Sequence, residues 1–248
     1  MTKGTTTRRK GARPKRGRAS RRKRGWRLPL FAALVVLAAL AAGWWWWQGR
    51  HWRPDEGRWP DQGAHISETD GNVRFDVLKG LGAGFVYLEA SHGGTGLDAN
   101  FLSNLDAARA AGLAVGAVHV FDPCIPADKQ GANFVTVVPR EADLLPPAIL
   151  LDGDTEFCPE HVSEAAIQSE LMVLVNQIEA HAGVPVILAP SAEFEARYRV
   201  GARIERKLWL TRSLAQPTYA GRPWTLWTAN PHLVTDAADA PLRWMVAR

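Results

Sequence analysis

Gly84-Phe-Val-Tyr-Leu-Glu-Ala90, the segment Ala99–Ala111 and Leu113-Ala-Val-Gly-Ala-Val-His-Val-Phe121 together decide how this chain folds. The first and last are near-continuous apolar runs of strand length, as expected of strands covered on both faces. Between them Phe101, Leu102, Leu105 and Ala108 recur at helical spacing, and Gly112 supplies a C-terminal stop. Strand, helix and strand in that order form the unit of a parallel sheet with helices outside.

The pattern extends in both directions. Upstream lie a short strand, Ala64–Ser67, and a helical stretch, Phe75–Leu81. Downstream follow a helix at Asp128–Val138 and a strongly apolar strand at Pro147–Asp152. Ser163 then caps a helix whose apolar face is Ile167, Leu171, Leu174, Val175 and Ile178, ending at Gly183. Val184–Ala189 reads as strand and Ala192–Tyr198 as a short helix. Lys207–Thr211, Trp224–Ala229 and Leu242–Ala247 are strand-like with little helix between them. Five strand–helix units and three closing strands make eight, the count of a closed barrel. Chemistry in such barrels sits at the C-terminal ends of the strands.

The chain has 248 residues, 46% hydrophobic and 22% charged, which excludes a wholly disordered protein. Its net charge of +5 averages two opposite regions. Of 30 Lys and Arg, 13 fall in residues 1–27 with no acid among them, leaving 17 against all 25 Asp and Glu. The basicity belongs to a tail, so no nucleic-acid partner is expected of the folded part.

Residues 28–47 hold no charge, and a helix of about 20 residues crosses a hydrocarbon core. Trp26 before the span and Trp44 to Trp47 at its end suit the two membrane–water boundaries. The bases predict a cytoplasmic N-terminus with the remainder outside; the expected location is the inner (cytoplasmic) membrane, with the barrel periplasmic or otherwise extracytoplasmic. A cleaved signal peptide is the competing reading, with Ala39-Leu40-Ala41 resembling a cleavage site. The expected organisation is a basic cytoplasmic arm (1–27), a transmembrane signal anchor (28–47), a polar linker (48–60) and a barrel domain (61–248). Cys124 and Cys158 both fall on the exported side, where a disulfide is permitted and two cysteines allow one pairing. Two separate buried thiols are the alternative.

From about Gln62 onward the chain resembles the family 25 glycoside hydrolases, the lysozymes or muramidases of peptidoglycan. The resemblance rests on Gly84–Gly94, Leu97–Leu113, Val115–Phe121 and Gln130-Gly-Ala-Asn-Phe134, with Leu208-Trp-Leu210 and Trp224-Thr-Leu-Trp227 later. The cysteine positions resemble those of membrane-anchored members. The resemblance implies a TIM-like (β/α)5β3 barrel and a site directed at peptidoglycan glycan strands, without a cofactor.

The family's polar pattern is altered. Its D-V-S becomes His65-Ile-Ser67, and its K-A-T-E-G becomes Glu89-Ala-Ser-His-Gly93. The G-A-Y-H-F-F strand keeps His119 but has Val118 for Tyr. The D-x-E whose Glu donates the proton aligns as Leu150-Leu-Asp152, or, shifted, as Asp152-Gly-Asp154. W-Q-Y becomes Trp227-Thr-Ala229, and the final V-D-L-N becomes Leu242-Arg-Trp-Met245. The expected pocket is therefore His65, Glu89, His92, His119, Trp227 and Arg243, with Asp152 the residual acid and Asp154 its alternative.

Glycoside hydrolysis needs a protonated carboxyl and a second group that stabilises or attacks an oxocarbenium-like centre. The second carboxylate has no evident replacement, and Arg243 would oppose the developing positive charge. Three readings follow. One is a pseudoenzyme that binds glycan or a cell-envelope protein, using Trp209, Trp224, Trp227 and Trp244 as platforms. Another is a divergent hydrolase with Asp152, Asp154 and Glu156 as a relocated acid cluster. The third gathers His65, His92, His119 and Asp152 around zinc, although their spacing is not a zinc motif.

Overall fold

The computed structural model describes residues 1, 2, 4, 11, 27–141, 143–156, 158, 159 and 162–248. Most of the basic arm, Trp26 included, lies outside the described residues. Two compact units emerge, Met1–Trp45 and Trp46–Arg248.

Helix α1 (Arg27–His51) carries the apolar run expected at 28–47 and continues past it. Ala and Leu favour helix, and Pro29 sits in the first turn, where its missing N–H costs nothing. Leu30, Phe31, Leu34, Val35, Val36, Leu37 and Leu40 are all exposed. Pro29–His51 is long and apolar enough to cross a membrane.

The second unit begins with β1 (Gln62–Ile66), a 3₁₀ turn (Glu68–Asp70), α2 (Phe75–Gly80), β2 (Ala83–His92) and the short β3 (Gly96–Leu97). Then come α3 (Phe101–Ala110), β4 (Ala114–Val120), α4 (Ala127–Val137), β5 (Leu145–Leu151) and α5 (Glu164–Ala182). The chain closes with β6 (Ile187–Pro190), α6 (Ala192–Tyr198), α7 (Val200–Arg203), β7 (Lys207–Thr211), β8 (Leu226–Leu233) and β9 (Leu242–Ala247). β1, β2, β4, β5, β6, β7 and β8 pair in parallel in that order. β9 runs antiparallel between β8 and β1 and closes the eight-strand barrel. The expected (β/α)5β3 order is what the chain adopts; the one addition is β3, a two-residue antiparallel strand on β2.

Phe85, Tyr87, Val118, Ala148, Ile187, Ala189, Trp209, Leu226 and Met245 fill the barrel. Large and small residues alternate so that the layers interlock. At Gly116 a Cβ would lie 2.4 Å from the Tyr87 ring, so only glycine fits there. Each large side chain fully buried contributes about 1.5–3 kcal/mol. The outer core packs α2, α3, α4 and α5 on the strands through Leu78, Phe101, Leu105, Phe134, Ile167, Leu171 and Leu174. The Ser163 hydroxyl accepts from Ala166 N (3.1 Å), and α5 stops at Gly183 with φ +73°. Both ends match the sequence expectation.

No helix follows β7 or β8, so the outer face of the last strands needs other cover. Residues 52–59 supply it. Trp52 packs on Trp227, and Trp59 on Trp224 and Trp227, with ring centroids 6.5, 5.4 and 6.1 Å apart. Gln62 Nε2 donates to Pro54 O (3.0 Å) and Trp59 O (2.9 Å), while its Oε1 accepts from Trp244 Nε1 (2.6 Å). The polar, Gly- and Pro-broken stretch 48–60 thus holds the end of α1 and then a packed layer of the barrel.

Strand ends differ from expectation where proline intervenes. The strand expected from Val184 starts at Ile187, beyond Pro185. The strand expected to end at Ala229 runs on to Leu233, with register shifts on either side of Asn230, next to Pro231.

Candidate active site

The mouth of the barrel is its C-terminal end, where β1, β2 and the start of antiparallel β9 meet. Alternation along these strands turns His65, Glu89 and Arg243 inward. His65 Nε2 lies 3.1 Å from Glu89 Oε1, though not aligned as a hydrogen bond. Arg243 Nη1 lies 3.9 Å from the same oxygen. The Arg243 guanidinium also pairs with Asp70, donates from Nη2 to Ser67 Oγ (2.9 Å) and from Nε to His65 O (3.2 Å). Ser67 N in turn donates to Asp70 Oδ2 (2.7 Å), which fixes the acid at the end of β1. Asp70 was not among the residues expected here. The Ser-x-x-Asp spacing of a capping turn is the signal that marks it.

Burial, then the charge of Arg243, lowers the pKa of His65, so its imidazole is neutral. Burial alone would raise Glu89, but the close polar contact with His65, which takes up positive charge if the ring is protonated, and the charge of Arg243 outweigh it and hold the carboxyl below its ordinary value. The mouth therefore contains an ionised carboxylate that sequence reasoning had not counted as one.

Asp152 follows β5 and, by alternation from Ala148 and Leu150, points into the mouth. It keeps access to solvent, yet the surrounding protein dehydrates its carboxyl. That dehydration raises its pKa, the negative charge of Glu89 adds to the rise, and a backbone hydrogen bond offsets part of it. A cleft of about 460 Å³ opens beside it, lined by His92–Gly96, Val120–Pro123, Ile125 and Asp152–Asp154. The Cys124–Cys158 disulfide ties the loops after β4 and β5 together at this cleft, as expected. Gln130 braces the first of these loops, accepting from Asp122 N (2.9 Å) and donating to Asp122 O (2.9 Å) and Ile125 O (2.7 Å).

Several expected pocket residues lie elsewhere. A bulge at Ala90 shifts the register between Glu89 and Ser91, so Ser91 turns outward beside His119. His119 is fully buried between β4 and α4, contacting Ser91 Oγ (2.9 Å) and Gln130 Oε1 (3.2 Å). Burial lowers its pKa to about 4. It is thus a neutral packing residue rather than a pocket group. The same bulge returns His92 to the cleft wall, packed so closely over Gly96 that a Cβ there would lie 2.0 Å from its Nε2. With His119 outside, the zinc constellation does not assemble; among the described residues no three His, Cys, Asp or Glu gather to hold a metal.

Trp227 also leaves the expected pocket. It faces outward under Trp52 and Trp59, and its Nε1 donates to Arg212 O (2.8 Å). Trp209, Trp224 and Trp244 are buried as well, Trp209 inside the barrel against His65 and Tyr87. None of the four is an exposed sugar platform. Asp154 stands at the rim, paired with Arg197 (3.3 Å) and accepting from Glu156 N (2.9 Å). The relocated acid cluster is a solvated surface loop, and Asp152 with Glu89 is the carboxylate pair of the mouth.

Comparison with known proteins agrees with this architecture. The family model for glycosyl hydrolases family 25 matches residues 65–232. The fold is similar to that of a family 25 glycosyl hydrolase from Bacillus anthracis, with TM-score 0.72 and 23% identity over 80% of this chain and 92% of that one. It is also similar to the bacterial lysozyme of Streptomyces coelicolor (TM-score 0.68, 18% identity, 76% and 92% covered). A family GH25 lysozyme from Aspergillus fumigatus follows at TM-score 0.63 and 20% identity, covering 76% and 93%. No curated protein matches the chain by sequence.

Proposed function

The chain belongs to glycosyl hydrolase family 25, and from that premise we propose that it is an inner-membrane-anchored, periplasmic domain that binds peptidoglycan glycan without hydrolysing it. The observation that carries this reading is the position of Arg243. Its guanidinium stands 3.9 Å from Glu89 and pairs with Asp70, so the carboxylates at this side of the mouth are engaged by an internal cation. An oxocarbenium-like transition state needs negative charge there.

Aligned with the family pattern, the sign is reversed at two of three positions and lost at the third, His65, which is neutral. Asp, Lys and Asp of the resemblance correspond to His65, Glu89 and Arg243. The three remain mutually complementary, so the barrel mouth is kept together while its field at the sugar changes. Asp152 retains an acid at the proton donor's place, one methylene shorter than Glu, and a displacement of about 1 Å can cost a hundredfold in rate. The anchoring half of the proposal rests on α1 and on the 13 bases of residues 1–27 that precede its uncharged run.

Calorimetric titration of the detergent-solubilised full chain with purified muropeptides tests the binding. Saturable heat with intact ligand recovered supports it; no heat contradicts it. A second reading is favoured by one observation, the influence of Glu89 on Asp152. A carboxyl raised by dehydration and by a neighbouring carboxylate, next to one held below its ordinary value, is the direction of pKa splitting seen in a glycosidase pair. Under that reading the recovered ligand would be cleaved.

A further inference from the structure

The end of α1 that belongs to the barrel unit is fastened at one particular place. Asn230 Nδ2 donates to Gly49 O (2.9 Å) and Trp52 O (2.8 Å), and Val234 N donates to Arg50 O (2.8 Å). Asn230 lies near the C-terminal end of β8 and Val234 just beyond it, so the attachment is at the mouth end of the barrel. Trp44 to Trp47 suit the membrane–water boundary, and at a rise of about 1.5 Å per residue Arg50 follows Trp47 by only about 5 Å. The β8 side of the mouth is therefore tethered within about one helical turn of that boundary.

The rim at that place carries exposed apolar side chains. Leu214, in the loop after β7, is 45% exposed, and Val234 is 36% exposed. Leu214 also holds φ +63°, and Leu214 N donates to Ala229 O (3.0 Å), which pins its loop to β8. A left-handed leucine is strained where glycine would not be. A strained backbone that holds a leucine in solvent points to a use for that side chain outside the protein. Exposed Arg212 stands two residues before it, with its backbone N bonded to Thr228 O (3.2 Å). At the opposite end of the barrel the groove is lined instead by Glu205, Arg206, Lys207 and Arg222 with prolines.

We infer that the β8 side of the mouth rim, Leu214 and Val234 with Arg212, is a lipid-contacting surface that rests on the headgroup layer of the membrane entered by α1. The occupant follows from continuity: the chain that enters the membrane leaves the barrel at this rim. Apolar side chains that reach the headgroup–acyl boundary, with a basic neighbour for anionic lipid, are the chemistry of an interfacial contact. The inference rests on the anchoring part of the proposed function and adds that the mouth meets glycan at the membrane surface.

The test uses the full chain in vesicles of phosphatidylethanolamine and phosphatidylglycerol. Leu214→Cys, Val234→Cys and, at the opposite end, Val184→Cys each receive a polarity-sensitive fluorophore. Flotation with the vesicles reports anchoring separately. The expected result is flotation, with blue-shifted emission at 214 and 234, quenched by brominated lipid, and unshifted emission at 184. Flotation with equal emission at all three positions, or with the shift at 184, overturns the inference and leaves the anchor standing. Failure to float overturns both. None of these outcomes depends on glycan binding.

Discussion

Glu89 on β2 and Arg243 on β9 face each other across the mouth of the barrel at 3.9 Å, with His65 between their strands and 3.1 Å from the same carboxylate oxygen. The arrangement is a closed exchange of charge. Arg243 is held by Asp70 and Ser67 on its other side, so its guanidinium is positioned rather than free to swing toward solvent.

Replacing His65 by Asp should be strongly destabilising. It would set a second carboxylate against Glu89 at a site only 3% exposed, and uncompensated buried charge costs about 3–5 kcal/mol. Adding Glu89→Lys to that variant should recover part of the loss. Urea denaturation of both, compared as a double-mutant cycle, reads the coupling; additive losses would mean that the two residues do not act together.

Acid should weaken the fold through its buried histidines. The folded pKa of His119 is lowered from 6.5 to about 4. Its contribution is therefore fully present above pH 6.5 and is lost as the pH falls from there toward 4. His65 acts with the same sign. Full loss of the His119 contribution amounts to about 3 kcal/mol. A urea midpoint that falls between pH 7 and pH 5, and falls less in His119→Asn, is the expected result.

Much of the barrel was legible because its signals are local. Apolar runs, helical spacing and the Ser163 and Gly183 stops depend on neighbours in the chain, and all reappear as elements. The bulge at Ala90 does not. One extra residue in β2 decides that Ser91 turns toward His119 and α4, and nothing in Glu89-Ala-Ser-His92 announces it. The role of Trp52 and Trp59 was hidden for a different reason. Their partners, Trp224 and Trp227, lie far along the chain, and the need for cover arises only because β7 and β8 lack helices. Glu89 was visible as a residue, but its value as a carboxylate of the mouth depends on its proximity to Asp152.

That covering layer predicts that the barrel is not independent of what precedes it. Deleting residues 48–60 should expose Trp224 and Trp227 and remove the acceptors of Gln62 and Asn230. Trp59→Ala should cost about 3 kcal/mol, as a large aromatic truncated against a core does. Thermal unfolding of both variants checks this; a midpoint like that of the intact chain would contradict it.

Reducing the Cys124–Cys158 bridge should loosen the cleft and lower stability. The bridge closes a separation of 34 residues, for which chain entropy gives about 3–4 kcal/mol. The paired variant Cys124→Ser, Cys158→Ser should unfold at lower urea, with proteolysis appearing first in the loops after β4 and β5.

The most direct measurement is release of reducing ends from purified peptidoglycan by the intact chain, run beside Asp152→Ala and Glu89→Gln. The central claim is that Arg243 and its partners leave the mouth without the field that hydrolysis needs. It predicts no release above buffer from any of the three proteins, with the variants still folded. Sustained release by the intact chain, abolished by both substitutions, would contradict it and identify Asp152 and Glu89 as a working catalytic pair.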